Sequence, residues 1–345
     1  MTSFAKQLLD WFDQYGRKSL PWQTDKTPYR VWVSEIMLQQ TQVATVIPYF
    51  KKFLNRFPSV DELAAATEDE VLHLWTGLGY YARARNLHTT AKKVMKEHNG
   101  EFPTTVKGLE TLPGIGRSTA GAIVAICHDT YAAILDGNVK RVLARHFTID
   151  GWPGETETQK LLWKKAESLT PHKRIADYTQ AIMDLGATVC TRASPDCTTC
   201  PYFKSCHARI SGTIGQYPSK KPKKVMPLIS TVMLIAELNG NVLLRKRPSK
   251  GLWGGLWSFP ECGSVEAIDS LLQSLKLEEL ERTQLPEFRH TFTHYHLDIK
   301  PIRITIRETN CIAEPAAEIW FNVSAPQSIG LTKPVTKILA DLLAN

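Results

Sequence analysis

The sequence predicts two architectures in one chain, a mostly α-helical N-terminal region and an α+β C-terminal domain. Three observations predict this. Apolar residues recur at helical spacing to about residue 210, a stretch rich in proline, glycine and lysine follows at 212–227, and beyond it the period changes to the alternation of strands. A chain of 345 residues is also longer than one ordinary core supports, so more than one domain is expected.

Helical patterns run over 3–15, 30–40, 60–75 and 118–127, with proline and glycine between them. Segment 212–227, GTIGQYPSKKPKKVMP, offers little to bury and reads as a basic linker between regions 1–211 and 228–345. After it, ISTVMLIAEL (229–238) and residues 242–247 flank Asn239-Gly240-Asn241, a hairpin signature, and LDIKPIRITI (297–306) alternates as a strand does.

Hydrophobic residues make up 43% of the chain and charged residues 22%, the composition of a folded protein. Lys and Arg number 42 against 34 acids, a net charge of +8 that attracts polyanions without identifying one. No stretch reaches the ~18 apolar residues of a membrane span. The N-terminal MTSFAKQLLDWFDQYG is an amphipathic helix pattern carrying Asp10 and Asp13, unlike a signal or transit peptide. A soluble cytoplasmic protein without a membrane partner is expected, and in that compartment cysteines stay reduced. Cys127, Cys262 and Cys311 are scattered, whereas Cys190, Cys197, Cys200 and Cys206 sit together.

Residues 111–120 read TLPGIGRSTA, a helix end, a Gly-Ile-Gly turn through Gly114 and Gly116, and a new helix from Arg117. The glycines let the backbone approach another molecule, and the free N–H groups opening the second helix suit a phosphate. An ordinary helix–helix turn has the same local pattern. Twenty residues after Gly116, however, comes Asp136 in AAILDGNVKRVLAR. L-P-G-x-G followed by an aspartate resembles the helix-hairpin-helix glycosylase superfamily, which flips a nucleotide out of the duplex and cleaves its N-glycosidic bond. The resemblance makes Asp136 the catalytic aspartate. A helix N-cap in L-D-G-N is a compatible second role.

The four clustered cysteines have the spacing C-x6-C-x2-C-x5-C. Four such thiolates can enclose an iron–sulfur cluster or a tetrahedral zinc, although zinc sites usually show two C-x2-C pairs. The spacing resembles the 4Fe–4S loop of endonuclease III and its adenine-specific relatives, which implies a cluster held by residues 190–206.

Residues 30–42 read RVWVSEIMLQQTQ, with Glu35 an isolated acid in an apolar helical run. A carboxyl group in apolar surroundings holds its proton to higher pH; the competing reading is a charge on the wet face of an amphipathic helix. The motif resembles the active-site helix of the MutY-type adenine glycosylases, which implies that Glu35 protonates adenine at N7 while Asp136 stabilises the oxocarbenium-like sugar, with Asn138 in support. Lyase members of the superfamily carry a Schiff-base lysine two residues after the second hairpin glycine; here that position is Ser118, so base release without strand cleavage is expected.

The family's segment that meets the opposite strand resembles LWTGLGYYARARN (74–86), with Tyr80 beside the oxidised guanine, while Gln39 and Gln40 match the pair that fills the stack left by the flipped base. Ordinary packing is the alternative for Tyr80. The C-terminal domain resembles a Nudix fold, with GLWGGLWSFP (251–260) followed by a helix. The acid-rich metal box of Nudix hydrolases is missing from 251–285, so recognition and not hydrolysis is expected. FRHTFTHYHLDI (288–299) resembles the family's recognition loop, with Phe292, Thr293 and His294 on its F-S-H core; without that context, three histidines here read as a solvated strand face. The whole implies a mostly α helix-hairpin-helix glycosylase with a 4Fe–4S loop plus an α+β Nudix-like C-terminal domain. Its partner would be double-stranded DNA with 8-oxoguanine·adenine or guanine·adenine mispairs, bound by a monomer associated with the nucleoid. An endonuclease III-like pyrimidine glycosylase/lyase and a non-catalytic DNA-binding module are the alternatives, opposed by Ser118 and by the retained Glu35 and Asp136 respectively.

Overall fold

The computed structural model describes residues 1–222, 225–307 and 317–344. Cys311 and residues 223–224 of the linker segment lie outside the described residues. The helices are α1 (Ser3–Tyr15), α2 (Pro28–Leu38), α3 (Val43–Arg56), α4 (Val60–Ala65), α5 (Glu68–Trp75), α6 (Ala82–His98), α7 (Val106–Glu110), α8 (Arg117–His128), α9 (Gly137–His146), α10 (Thr156–Leu169), α11 (Ile175–Asp184) and α12 (His207–Ile210), then α13 (Ile268–Leu275) and α14 (Lys333–Ala344). The single helical pattern expected over 60–75 is two helices. The first ends at Ala65, and Thr67 opens the second with a capping box, its side chain accepting from the Glu70 N–H while the Glu70 carboxylate accepts from the Thr67 N–H at 3.0 Å.

Two compact units account for the chain: 1–65 with 86–223, and 66–85 with 224–345. By contacts, α5 and the turn after it group with the C-terminal residues. The first unit is helical. Its core gathers the apolar faces of α1, α8, α9, α10 and α11, with Leu8, Leu143, Leu162, Ala181 and Leu185 inaccessible to solvent or nearly so. Burying each such leucine favours folding by ~1.5–3 kcal/mol.

The second unit is built on an eight-stranded mixed sheet. Strand β1 (Leu228–Leu238) pairs antiparallel with β2 (Asn241–Lys246), and Asn239 and Gly240 between them both have positive φ, 49° and 74°, as the predicted Asn-Gly hairpin requires. Strands β3 (Trp257–Ser258), β4 (Glu261–Cys262), β5 (Glu279–Gln284), β6 (Phe288–Thr291), β7 (His296–Ile306) and β8 (Glu318–Asn322) complete it. β1 and β7 run parallel from Leu228↔His296 to Glu237↔Thr305. The continuous apolar run Val232–Ala236 in β1 follows from burial on both faces. Helix α13 packs Ile268, Leu272 and Leu275 against this sheet.

Candidate active site

Glu35 is carried by α2, whose start is set by Thr27 accepting from the Arg30 N–H and by Pro28 in the first turn. Its carboxyl group lines a cavity of about 200 Å³ together with Arg17, Trp22, Ser34, Asp177 and Gln180. The wet-face reading of Glu35 is thus not what the helix does; its neighbours Val31, Ser34 and Ile36 are buried. Burial foremost, and the nearby charge of Asp136 second, push the Glu35 carboxyl up to about 8.

Asp136 does not line that cavity. It caps the N-terminus of α9, accepting from the Val139 N–H at 2.8 Å, while its other oxygen accepts from the Asn138 side chain at 2.9 Å. Burial raises its pKa, and the donors from Val139 and Asn138 and the charge of Arg141 oppose that rise. The donors favour the anion on Asp136, whereas desolvation foremost keeps the proton on Glu35. The N-cap role and the electrostatic pairing with Glu35 coexist in one residue.

Ser118, in the first turn of α8, accepts from the Leu135 N–H at 3.0 Å and so fixes the residue preceding Asp136. Asn138 is held in turn by Arg141, which donates to its side-chain oxygen at 2.8 Å and to the carbonyls of Cys190 at 2.6 Å and Gly186 at 2.5 Å. Gly186 is required there, since a Cβ would lie 2.5 Å from that of Asn138. A chain of hydrogen bonds therefore runs from Asp136 through Asn138 and Arg141 to the cysteine segment. The sequence reading missed Arg141, and it also missed Arg17 and Asp184. Asp184, 1% exposed, accepts from the Arg17 backbone N–H at 2.8 Å, from its guanidinium at 2.6 and 3.0 Å and from Gln180 at 2.9 Å. The signal was present: an isolated acid in AIMDLG, the same signal that marks Glu35.

Cys190, Cys197, Cys200 and Cys206 all line one small cavity of about 20 Å³. Buried Arg145 stands beside it, its guanidinium 3.4 Å from the Cys190 sulfur and donating to the carbonyls of Thr191, Arg192 and Tyr217. Among the described residues no group of three or more His, Cys, Asp or Glu is drawn together to hold a single metal ion.

Gly114 has φ 78° and lies so close to Asn86 that a Cβ would be 2.9 Å from that residue's Cβ. Gly116 is the N-cap of α8, with no capping side chain and open space where a Cβ would be. Gln39 ends α2, and Gln40 after it is exposed in a left-handed conformation, φ 58°. Tyr80 also has positive φ, 49°, and is 47% exposed. It belongs to the same compact unit as Phe292, Thr293 and His294. These three follow β6; the Phe292 ring packs on Trp253 at 5.1 Å and on His290 at 4.5 Å, and Thr293 Oγ1 lies 3.4 Å from His294 Nδ1.

Residues 33–168 match the HhH-GPD superfamily of base excision DNA repair proteins, and residues 231–341 match the NUDIX domain. Over 340 residues the chain is 42% identical to an adenine DNA glycosylase of Buchnera aphidicola subsp. Baizongia pistaciae, spanning 98% of this chain and 96% of that one. The chain belongs to the adenine DNA glycosylase family. To the human adenine DNA glycosylase it is 34% identical, over 98% of this chain and 73% of the relative. A solved thermostable thymine-DNA glycosylase covers 60% of the chain at 27% identity with a TM-score of 0.55. A non-covalent endonuclease III–DNA complex, at 20% identity and a TM-score of 0.52 over 61% of the chain, shares the fold of the helical region. Members of this family hydrolyse the N-glycosyl bond of adenine in DNA as a step of base excision repair, and that is the activity of this chain. No helix among the described residues is long and apolar enough to cross a membrane.

Proposed function

We propose that the chain excises adenine paired with 8-oxoguanine, and also with guanine, by a monofunctional mechanism in which Glu35 is the acid and Asp136 the electrostatic partner of the sugar. The carboxyl pair carries this reading. Glu35 holds a proton near neutral pH inside a cavity that suits a flat heterocycle, and Asp136 is biased towards its anion by two donors. A proton delivered to the base makes it a leaving group, and the fixed carboxylate meets the positive charge that develops on the sugar. Arg17 and Gln180, tied by Asp184, are the cavity groups suited to hold the base. Gly114, Gly116 and the uncapped first turn of α8 suit a DNA phosphate, and Gln39 and Gln40 suit the gap in the stack.

Ser118 supports the absence of lyase chemistry, since a hydroxyl holding the Leu135 N–H cannot form a Schiff base. Single-turnover cleavage of a duplex with one 8-oxoguanine·adenine pair is expected to break the strand at adenine only after alkali. Equal breakage without alkali would mean an efficient lyase, and no breakage in either condition a binding module.

The four cysteines fit a 4Fe–4S cluster better than a zinc ion. All four line one cavity beside the Arg145 guanidinium, and four thiolates are the ligand set such a cluster takes, whereas zinc sites usually pair two C-x2-C units. When bound, such a cluster cross-links residues 190–206. The basic Arg192, Lys204, His207 and Arg209 of that segment are suited to the DNA backbone.

Phe292, Thr293, His294 and Tyr80 are the groups proposed to read the base opposite the target, the threonine supplying the hydroxyl that a serine usually gives. Replacing Phe292, Thr293 and His294 together by alanine is expected to lower the rate ratio for 8-oxoguanine·adenine over guanine·adenine on the order of tenfold or more. An unchanged ratio would remove the recognition role. The enzyme is proposed to act as a cytoplasmic monomer.

A further inference from the structure

Resting on that recognition reading, we propose that Arg85 and the Trp253-Gly254 turn are positioning residues that couple the Tyr80 turn to the Phe292–His294 loop, so that the two read the opposite base as one element. All of these residues belong to one compact unit. The turn at 76–81 is tightly defined: Gly77, Gly79 and Tyr80 have φ of 101°, 72° and 49°, and Trp75 Nε1 donates to the Gly79 carbonyl at 3.1 Å. Arg83 braces it from within, donating to the carbonyls of Leu78 and Gly79 with its guanidinium 5.6 Å from the Tyr80 ring.

Both ends of this segment are tied to the C-terminal residues. On the N-terminal side, Asp69 accepts from Lys246 Nζ at 2.9 Å and from Trp257 Nε1 at 3.2 Å, and the Trp257 side chain is 4% exposed. On the C-terminal side, the Arg85 guanidinium donates to the Gly254 carbonyl at 2.5 Å. The residue before that carbonyl, Trp253, has its ring 5.1 Å from Phe292 and 5.4 Å from His290. The turn has little freedom of its own. Trp253 and Gly255 have positive φ, 52° and 75°, a Cβ on Gly254 would lie 2.3 Å from the Ser249 carbonyl oxygen, and Arg247 donates to the Leu252 carbonyl at 3.0 Å. The Tyr80 turn is thus linked to Phe292 by two contacts, the Arg85–Gly254 hydrogen bond and the Trp253–Phe292 ring contact.

The alternative role for an arginine at this position is a phosphate contact. The two roles separate in the readout. Losing a phosphate contact weakens binding to every duplex alike and flattens its salt dependence, whereas losing a positioning contact changes the ratio between two opposite bases. Arg85→Met keeps the aliphatic stem and removes the donors. It is expected to lower the 8-oxoguanine·adenine over guanine·adenine single-turnover ratio on the order of tenfold, leaving the guanine·adenine rate and the salt dependence of binding as in the wild type. Arg85→Lys, which retains one donor, should recover much of the ratio. Trp253→Leu, on the far side of the turn, should lower it similarly, and joining it to Arg85→Met should add little, since both break one path. A preference in the wild type that survives in Arg85→Met and in Trp253→Leu overturns the coupling alone, as does an equal loss on both duplexes. A wild type with no preference overturns the recognition reading and this inference with it.

Discussion

Glu35→Gln is expected to slow single-turnover excision by ~10²–10⁴-fold, the range typical of removing a positioned general acid, while affinity for the mispaired duplex stays near that of the wild type. The substitution is nearly isosteric and keeps the group neutral, as the protonated acid is, so packing around the cavity changes little. What it removes is the transferable proton. The pH dependence follows from the same shift. With Glu35 pushed up to about 8, its acid form is present below that value and is lost as pH rises through it, so excision falls on the alkaline side. On the acid side it falls as Asp136 takes up a proton, at a pH above the ordinary aspartate range because burial raises that group too. Stability carries a matching sign. The folded state binds the Glu35 proton more tightly than the unfolded state does, so this residue's contribution declines as pH rises from the ordinary glutamate value of 4.5 towards about 8. Glu35→Gln removes that decline, and its melting temperature relative to the wild type should rise with pH over this window. A single-turnover rate unaffected by Glu35→Gln at neutral pH would take the acid role away from this residue.

Much of this was legible in the residues because the features concerned are local. The Asn239-Gly240 hairpin is set by two consecutive positive-φ positions, α8 opens where Gly116 ends the hairpin, and Glu35 stands out as a charge among Val31, Ile36 and Met37. The features that escaped are those in which the informative contact is distant along the chain. Arg17 meets Asp184 across 167 residues, and Arg141 meets the Cys190 carbonyl across 49. Neither arginine differs from a solvated surface charge until its partner is known. The membership of 66–85 in the C-terminal unit is of the same kind, because Asp69 finds Lys246 and Trp257 at separations of 177 and 188 residues. The periodicity of α5 reports that one face is buried without reporting what covers it. Its contacts group it with the C-terminal residues, which composition alone does not reveal.

Cys200→Ser is expected to have the second large effect, on stability before chemistry. The wild-type protein should be brown, with iron and acid-labile sulfide bound in equal amounts, and the variant should lose both. The segment it closes is part of the core of its unit. Cys190, Cys200 and Cys206 pack against that core, and Tyr202 is 2% exposed, stacked 4.2 Å from Phe4 and donating its hydroxyl to the Phe4 carbonyl at 3.0 Å. If the segment is released, Tyr202 leaves with it. The loss of one large buried aromatic costs ~3–5 kcal/mol, against a total stability of ~5–15 kcal/mol for an ordinary domain, so a large fall in melting temperature is expected and poor solubility with it. The hydrogen bonds carry the damage towards the acid pair. Arg141 is anchored on the Cys190 carbonyl and holds Asn138, which donates to Asp136. An Asp136 carboxylate that loses this donor is less biased towards its anion, so whatever folded variant remains should show its acid limb moved to higher pH. A colourless wild-type preparation containing stoichiometric zinc would overturn the cluster. A brown Cys200→Ser protein with full iron and an unchanged melting temperature would remove Cys200 from the ligand set.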